Sequence, residues 1–321
     1  MFSIRTLAVC LGLFACTVSW SAEQAFPSKP IRLLVPATPG GIIDVSSRLI
    51  ARALEPHLGK PVIVENRPGA TYQIAINLCA RATADGHTMC QINISTHSFN
   101  PYVFKTLAYD PVKDFKPVYF QLSAIQGLMA YKTTPFNSVS ELKDYATRNR
   151  GKLNFATLGS GSSADLFCTW LNKIWGTDIT GVGYGGGIQV PLQSGEAHLT
   201  ILGVGTLAEL VRAGDVKLLA VSARERIPQF PNAPTFQEVG LGAYPSSFWL
   251  GIAVPAGTPD AIVRKLNAAF VEAAKDPRYQ EYLNGAALQT GTTTPEGFAE
   301  FMERDRKAAE TIIKLTGVSP R

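Results

Sequence analysis

Histidine and cysteine are scarce, at four and five residues in a chain of 321, and their placement argues against metal chemistry. His57, His87, His97 and His198 share no ligand-like spacing with one another. Once an N-terminal leader is set aside, three cysteines remain, at 79, 90 and 168. That number is odd, the spacings fit no zinc pattern, and nothing suggests a disulfide framework. Cys90, in the strand-like run His87-Thr88-Met89-Cys90, reads as a small core residue. Charge is thin too. Only 17% of residues are charged, the signs are interspersed without blocks, and the formal net charge is +5. A mild excess of this size suits small anionic ligands and falls far short of a nucleic-acid footprint. Past the leader, no stretch reaches the ~18 continuous apolar residues of a membrane-spanning helix. Catalytic constellations are also missing. A nucleophile elbow needs G-x-S-x-G, and the position two before Ser160 is Leu158. No Cys-His pair, HExxH motif or two-carboxylate set stands out, so the sequence points to binding without turnover and to no cofactor.

What is present begins with a separate unit at residues 1–22. Arg5 gives a positive start, Thr6 to Val18 is almost wholly apolar, and Ser19-Trp20-Ser21-Ala22 offers small residues for cleavage. This is the pattern of a secretory signal peptide, which implies an exported, periplasmic protein. Leu13-Phe14-Ala15-Cys16 approaches a lipoprotein cleavage box, but Phe14 is bulkier than the small residue usual there. With 46% hydrophobic content, the remainder can bury a sizeable core and fill two domains.

Apolar strand-like runs at 31–35, 61–65, 88–94, 117–131, 153–157, 198–204, 217–222 and 248–254 alternate with helical segments. Val45 to Leu58, for instance, repeats apolar residues at helical spacing. This alternation predicts an α/β fold with largely parallel sheets. Ser138 with Glu141 forms a capping box, and Thr258-Pro259, Asp276-Pro277 and Thr294-Pro295 each pair an N-cap with proline at the first helical position. Gly214 and Gly240 are expected to close helices. Two long strand-like passages, Val118 to Tyr131 and Ser247 to Val254, could each cross between lobes.

Four strand-to-helix junctions are rich in glycine and small hydroxyl residues. They are Val35 to Asp44, Asn93 to Ser98, Leu158 to Ser163, and Gly181 to Gly187. Bare loops of this kind let backbone N–H groups approach an anion, and the helix behind each adds unpaired donors and a partial positive charge. One such loop is as readily a plain turn. Four of them favour a ligand, because open α/β sheets bind beyond the carboxyl ends of their strands. A dinucleotide reading is weaker. Gly159-Ser160-Gly161-Ser162-Ser163-Ala164 fits G-x-G-x-x-A, with Asp178 near the distance of a ribose contact. In the fourth loop, however, Pro191 interrupts the following helix, and export argues against a dinucleotide enzyme.

Six motifs in order then resemble the Bug family, the extracytoplasmic solute receptors of tripartite tricarboxylate transporters. They are Phe26-Pro27-Ser28-Lys29-Pro30-Ile31-Arg32, Val35-Pro36 with Pro39-Gly40-Gly41 and Asp44, Val64 to Ala70, Ala84-Asp85-Gly86, Tyr109 to Phe115, and Val254 to Pro259. The resemblance runs from about residue 26 to the C-terminus. It implies a two-lobed periplasmic binding protein, a Venus flytrap with a hinge of crossing strands. Lobe 1 would be 27–125 plus 251–321, and lobe 2 would be 126–250. Such a protein closes as a monomer on a small organic carboxylate and delivers it to a two-component membrane permease. A sensing role beside a histidine kinase is the alternative on the same fold. Carried over by position, the resemblance implies one clamp at Thr38, Gly40, Gly41, Ile42, Ile43 and Asp44, with Tyr72 nearby. A second clamp would be Thr157, Leu158, Gly159, Ser160, Gly161, Ser162 and Ser163. Ser95, Thr96 and His97 match a third pocket loop, and Tyr184 matches a tyrosine of lobe 2.

Several positions depart from the family pattern. A run of three glycines and a threonine reads Gly40-Gly41-Ile42-Ile43 here, and a glycine pair is Thr71-Tyr72. A common histidine is Asp165, a usual lysine is Gly185, and a frequent aspartate is Gly203. Phe248 stands where a small hydroxyl residue is usual. These changes make the cleft bulkier and more apolar and remove cationic donors. The ligand expected from them is an aromatic or apolar mono- or dicarboxylate in preference to citrate.

Overall fold

The computed structural model describes residues 26–184, 187–242, 244, 248–290 and 294–320, so the expected leader and Cys16 lie outside the described residues. The chain runs β1 (Ile31–Val35), α1 (Ile42–Leu58), β2 (Val62–Asn66), α2 (Gln73–Ala80), β3 (Thr88–Asn93), a π-helical turn Ser95–Phe99, α3 (Asn100–Val103) and β4 (Phe115–Ala124). It continues through β5 (Gln126–Tyr131), α4 (Val139–Arg148), β6 (Asn154–Thr157), α5 (Ser163–Trp175), β7 (Thr180–Gly183), α6 (Gln189–Ser194), β8 (Leu199–Gly203), a 3₁₀ turn Val204–Leu207, α7 (Ala208–Arg212) and β9 (Val216–Val221). It finishes with β10 (Phe248–Pro255), α8 (Asp260–Ala273), α9 (Pro277–Gly285), β11 (Leu288–Gln289) and α10 (Pro295–Thr316). Among the described residues, no helix is long and apolar enough to cross a membrane.

Two sheets result, in the orders β11-β4-β10-β3-β1-β2 and β7-β6-β8-β5-β9. Each has a parallel α/β part, β2-β1-β3 in one and β7-β6-β8 in the other. The strands that cross or return run antiparallel: β10 on β3 and β4, β11 on β4, and β5 on β8 and β9. Expected parallel pairing therefore holds for the βαβ units, and antiparallel pairing enters where the chain changes sheet. That change is abrupt. The single apolar passage read over 118–131 is two strands with only Ile125 between them, β4 in the first sheet and β5 in the second. β10 lies beside β4 with Phe248 opposite Ala124, at the same end of the sheet. Carboxyl ends of β1, β3, β6 and β8 all point toward this junction, so the cleft forms there.

Local chemistry explains most boundaries. Ser138 caps α4 by accepting from the Glu141 N–H at 3.2 Å, Asp276 caps α9 through Arg278 and Tyr279, and Thr294 caps α10 through Gly297. Thr258 does not cap α8. Its hydroxyl turns back to the Pro255 carbonyl at 2.7 Å, and the helix starts at Asp260. Gly240 takes φ +77 in a turn that follows no helix, unlike Gly214, which lies just past α7. α1 begins at Ile42, three residues before the apolar periodicity does. Half of the glycine-dense fourth loop is strand β7, paired with β6. A Cβ at Gly183 would stand 3.0 Å from the Gly159 Cα, so glycine lets the two strand ends close together. Of the rest of that loop, Gly185 and Gly186 are outside the described residues.

A disulfide joins Cys79 of α2 to Cys90 of β3, with a Cα–Cα separation of 6.0 Å, inside the usual range for such a bond. The odd cysteine count concealed it: α2 folds back over the next strand and aligns these two, while Cys168 stays single and buried. One apolar cluster spans both sheets, from Phe120, Trp249 and Phe298 to Phe155, Phe167 and Trp170.

Candidate functional site

The first junction is built around a carboxylate. Asp44, in the first turn of α1 and only 3% exposed, accepts the Gly40 N–H on Oδ2 at 2.9 Å. Its Oδ1 accepts Asn66 Nδ2 at 2.8 Å and Arg48 at 2.9 Å. Asn66 also donates to the Ala37 carbonyl at 2.9 Å. Burial works to raise the Asp44 pKa, but the bonds from Arg48, the Gly40 amide and Asn66 outweigh it and hold the group below its ordinary value. Asp44 and the Gly40 amide are thus engaged with each other within the loop. Thr38 and Gly41 are exposed, Ile42 is half-buried and Ile43 is buried. No side chain caps α1 among the described residues, which leaves its remaining first-turn donors without a capping side chain there.

The second junction repeats the device. The Gly161 N–H donates to Asp165 Oδ2 at 2.8 Å, again four residues on. Ser162 is the N-cap of α5 and accepts the Asp165 N–H at 3.4 Å. The Gly159 N–H donates to Thr157 Oγ1 at 3.1 Å. Gly161 and Ser162 are therefore tied into the loop itself, while Leu158 and Ser160 are exposed and Ser163 is half-buried beside the cleft. Gly40, Gly159 and Gly161 have φ of +93°, +102° and +78°, which any side chain would strain.

The third loop departs furthest from expectation. Thr96 and His97 are fully buried. Thr96 Oγ1 accepts the Asn93 N–H at 3.0 Å, donates to the Asn93 carbonyl at 2.9 Å, and lies 2.9 Å from His97 Nδ1. His97 packs edge-on against Phe115 and beside Tyr109. Burial, aided by Arg306, lowers its pKa to about 3, which keeps the imidazole neutral. Both side chains turn into the core, because the π-helical turn swings them behind the strand end. Thr96 Oγ1 is engaged there with Asn93 and with His97 Nδ1. Ser95 is buried, at the start of the same turn.

Tyr72 is half-buried against the apolar cluster that includes Ile42 and Phe248, and burial raises its pKa to about 12. It follows Ala70 and Thr71 in a run of three positive φ values, with the Thr71 carbonyl accepting from Asn100 at 3.2 Å. Tyr184 packs with Ala156, Ile188, Ala197 and Leu202. Burial and then the nearby Glu196 raise its pKa.

Contacts close the gap between the two sheets. A Cβ at Gly203 would lie 3.4 Å from Ile42 Cδ1, and one at Gly161 would lie 3.2 Å from Val103 Cγ2. Between them is a cavity of ≈ 10 Å³ lined by Ile94, Gln126, Ser163, Ile201, Tyr244 and Phe248. Sequence reasoning named Ser163 and Phe248 and held Ile94 within its third junction, but missed Gln126, Ile201 and Tyr244, which come from three separate segments. Gln126 left one trace, as a lone polar residue in the apolar crossing passage. A larger groove of ≈ 720 Å³ runs along residues 101–114 and Arg306. It is open to solvent and lies away from the strand ends, so the cleft is the candidate site.

Residues 46–318 match the family described as Tripartite tricarboxylate transporter family receptor, TctC. The chain belongs to that family. It is 31% identical to a UPF0065 protein of Bordetella pertussis over 324 residues, covering 100% of this chain and 99% of the relative. Rpa4515 of R. palustris, solved with adipate, superposes with a TM-score of 0.86 at 30% identity, covering 92% of this chain and 100% of that one. The periplasmic binding protein BugD superposes at 0.85 with 27% identity, covering 92% of this chain and 100% of that one. This TctC-family chain is therefore a Bug-type solute-binding receptor with the two-lobed α/β fold of periplasmic binding proteins.

Proposed function

We propose that this receptor works in the periplasm, closing the lobe built on the first sheet and the lobe built on the second, with β10 from Phe248 onward in the first, on the carboxylate of a small apolar or aromatic acid and delivering it to the membrane permease of a tripartite transporter. The observation that carries the reading is the matched pair of loops at 40–44 and 161–165. Each fastens its glycine amide to an aspartate four residues on, and each leads into a helix beside the gap between the sheets, α1 with Ile42 next to Gly203 and α5 with Ser163 in the cavity lining. Two helix N-termini converging on one point attract a single anionic group. Contacts made by both lobes to that group favour the closed form by differential affinity. Bulky Ile42, Tyr72 and Phe248 leave little room for a tricarboxylate.

A thermal-shift panel of benzoate, adipate, malate and citrate tests this. A ligand that binds the folded state raises the melting temperature by mass action, and benzoate or adipate should do so more than citrate. Tight citrate binding with no response to the apolar acids overturns the preference. No response to any acid overturns the receptor reading itself.

A further inference from the structure

The six side chains that line the interlobe cavity include no lysine, arginine or histidine. The two helix first turns beside them and the core behind Tyr244 each carry a carboxylate, and Arg306, whose charge acts on the last of these, is not part of the lining. Asp44 and Asp165 sit in the first turns of α1 and α5, and Asp305 lies behind Tyr244, close enough for its charge to act on that hydroxyl. Arg48, the cation nearest the first clamp, is already paired with Asp44. Tyr244 donates to the Ser163 carbonyl at 3.4 Å. Gln126 is different. Its backbone is fixed by two 2.8 Å bonds with Ser222, while its half-buried side-chain amide has no hydrogen-bond partner among the described residues.

We infer that this receptor selects acids with a single carboxylate, and that Gln126 sets the selection by reading an uncharged far end of the ligand. This rests on the carboxylate-receptor reading above. A first carboxylate is met by the helix N-termini. A second one, pushed toward Ile94, Ile201 and Phe248, gives up its hydration and finds no cation, a cost that buried unpaired charges do not recover. A primary amide, hydroxyl or carbonyl at the same place loses far less, since the Gln126 amide can both donate and accept. The lining then acts by penalising dianions as much as by attracting monoanions.

Isothermal titration with matched probes tests this: succinate, glutarate and adipate, each against its own half-amide, which has the same length and one charge fewer. The best-fitting half-amide should bind at least ten times tighter than its parent diacid. Gln126→Lys should reverse the order by giving the second carboxylate a partner. Gln126→Leu should lose the half-amide advantage, and an unchanged melting temperature of the unliganded variant is the check against misfolding. A diacid that binds the wild-type protein as tightly as its half-amide overturns the inference and leaves the receptor reading intact. Failure of every acid, including those of the thermal panel, removes the receptor reading instead.

Discussion

Gly205, in the 3₁₀ turn just past β8, lies against the Ala286 carbonyl just past α9, so close that a Cβ at 205 would overlap it. One residue follows a strand of the second sheet and the other precedes a strand of the first, so glycine here permits the closed approach of the lobes. Gly205→Ala should act as a wedge. Overpacking of this kind costs about 1–3 kcal/mol, and because it falls on closure it should weaken ligand binding by roughly 5- to 150-fold. Small-angle scattering should show a larger radius with bound acid than for the wild type. Unchanged affinity would mean that the contact yields without cost.

Two buried groups should shape the pH dependence in opposite senses. Asp305 accepts bonds from Ser98 and from Trp249 Nε1 at 2.8 Å, but burial still raises its pKa to about 6. The folded state then holds a proton that the unfolded chain releases above about 4, so this contribution is lost as pH rises through 6. His97 does the reverse. Its pKa is lowered to about 3, so its contribution is present above the unfolded value near 6.5 and is lost as pH falls. Between pH 4.5 and 6 the two slopes, each about 1.4 kcal/mol per pH unit, should cancel. Relative to wild type, urea unfolding of Asp305→Asn should show stability climbing with pH across that window. His97→Gln should show it falling. Parallel curves for all three proteins would discredit the pair.

The Cys79–Cys90 bond closes a short loop, with 11 residues of sequence separation. Loop-closure entropy puts its contribution at roughly 3 kcal/mol. Cys79→Ala/Cys90→Ala should lower the urea midpoint accordingly, with no change in ligand affinity because the bond lies away from the cleft lining. A loss of affinity larger than the loss of stability would link α2 to the site.

Asp44 and Asp165 are expected to behave alike. Replacing either by alanine frees a glycine amide and loosens one clamp. Removing an acceptor from its donors costs about 1–3 kcal/mol where it is buried, as Asp44 is, and less at half-buried Asp165, and each variant should bind its acid more weakly, by about tenfold for Asp44→Ala. Asp44→Ala should also lose more thermal stability, because Arg48 and Asn66 are released with Gly40. If Asp165→Ala leaves affinity intact, the second loop is rigid without its carboxylate.

Much of this fold was legible because its signals are local. Branched apolar runs such as Ile31–Val35 and caps such as Ser138, Asp276 and Thr294 depend on neighbours within a few residues. The glycine loops at the strand ends are legible for the same reason. What could not be read was which way each group faces. Asp44 looks like a ligand group until Gly40, Asn66 and Arg48 are seen to converge on it. Thr96 and His97 look like donors until the turn carries them inward. Gln126, Ile94, Ile201 and Tyr244 meet across long sequence separations, as do Cys79 and Cys90 across a helix and a strand. No period or motif encodes such meetings.

The aromatic cluster running from Phe120 and Trp249 to Phe167 and Trp170 makes the two halves share one interior. Heating should therefore melt the molecule in a single calorimetric step, with van't Hoff and calorimetric enthalpies in agreement. A metabolite held at the junction would then protect the most distant helix as firmly as the nearest.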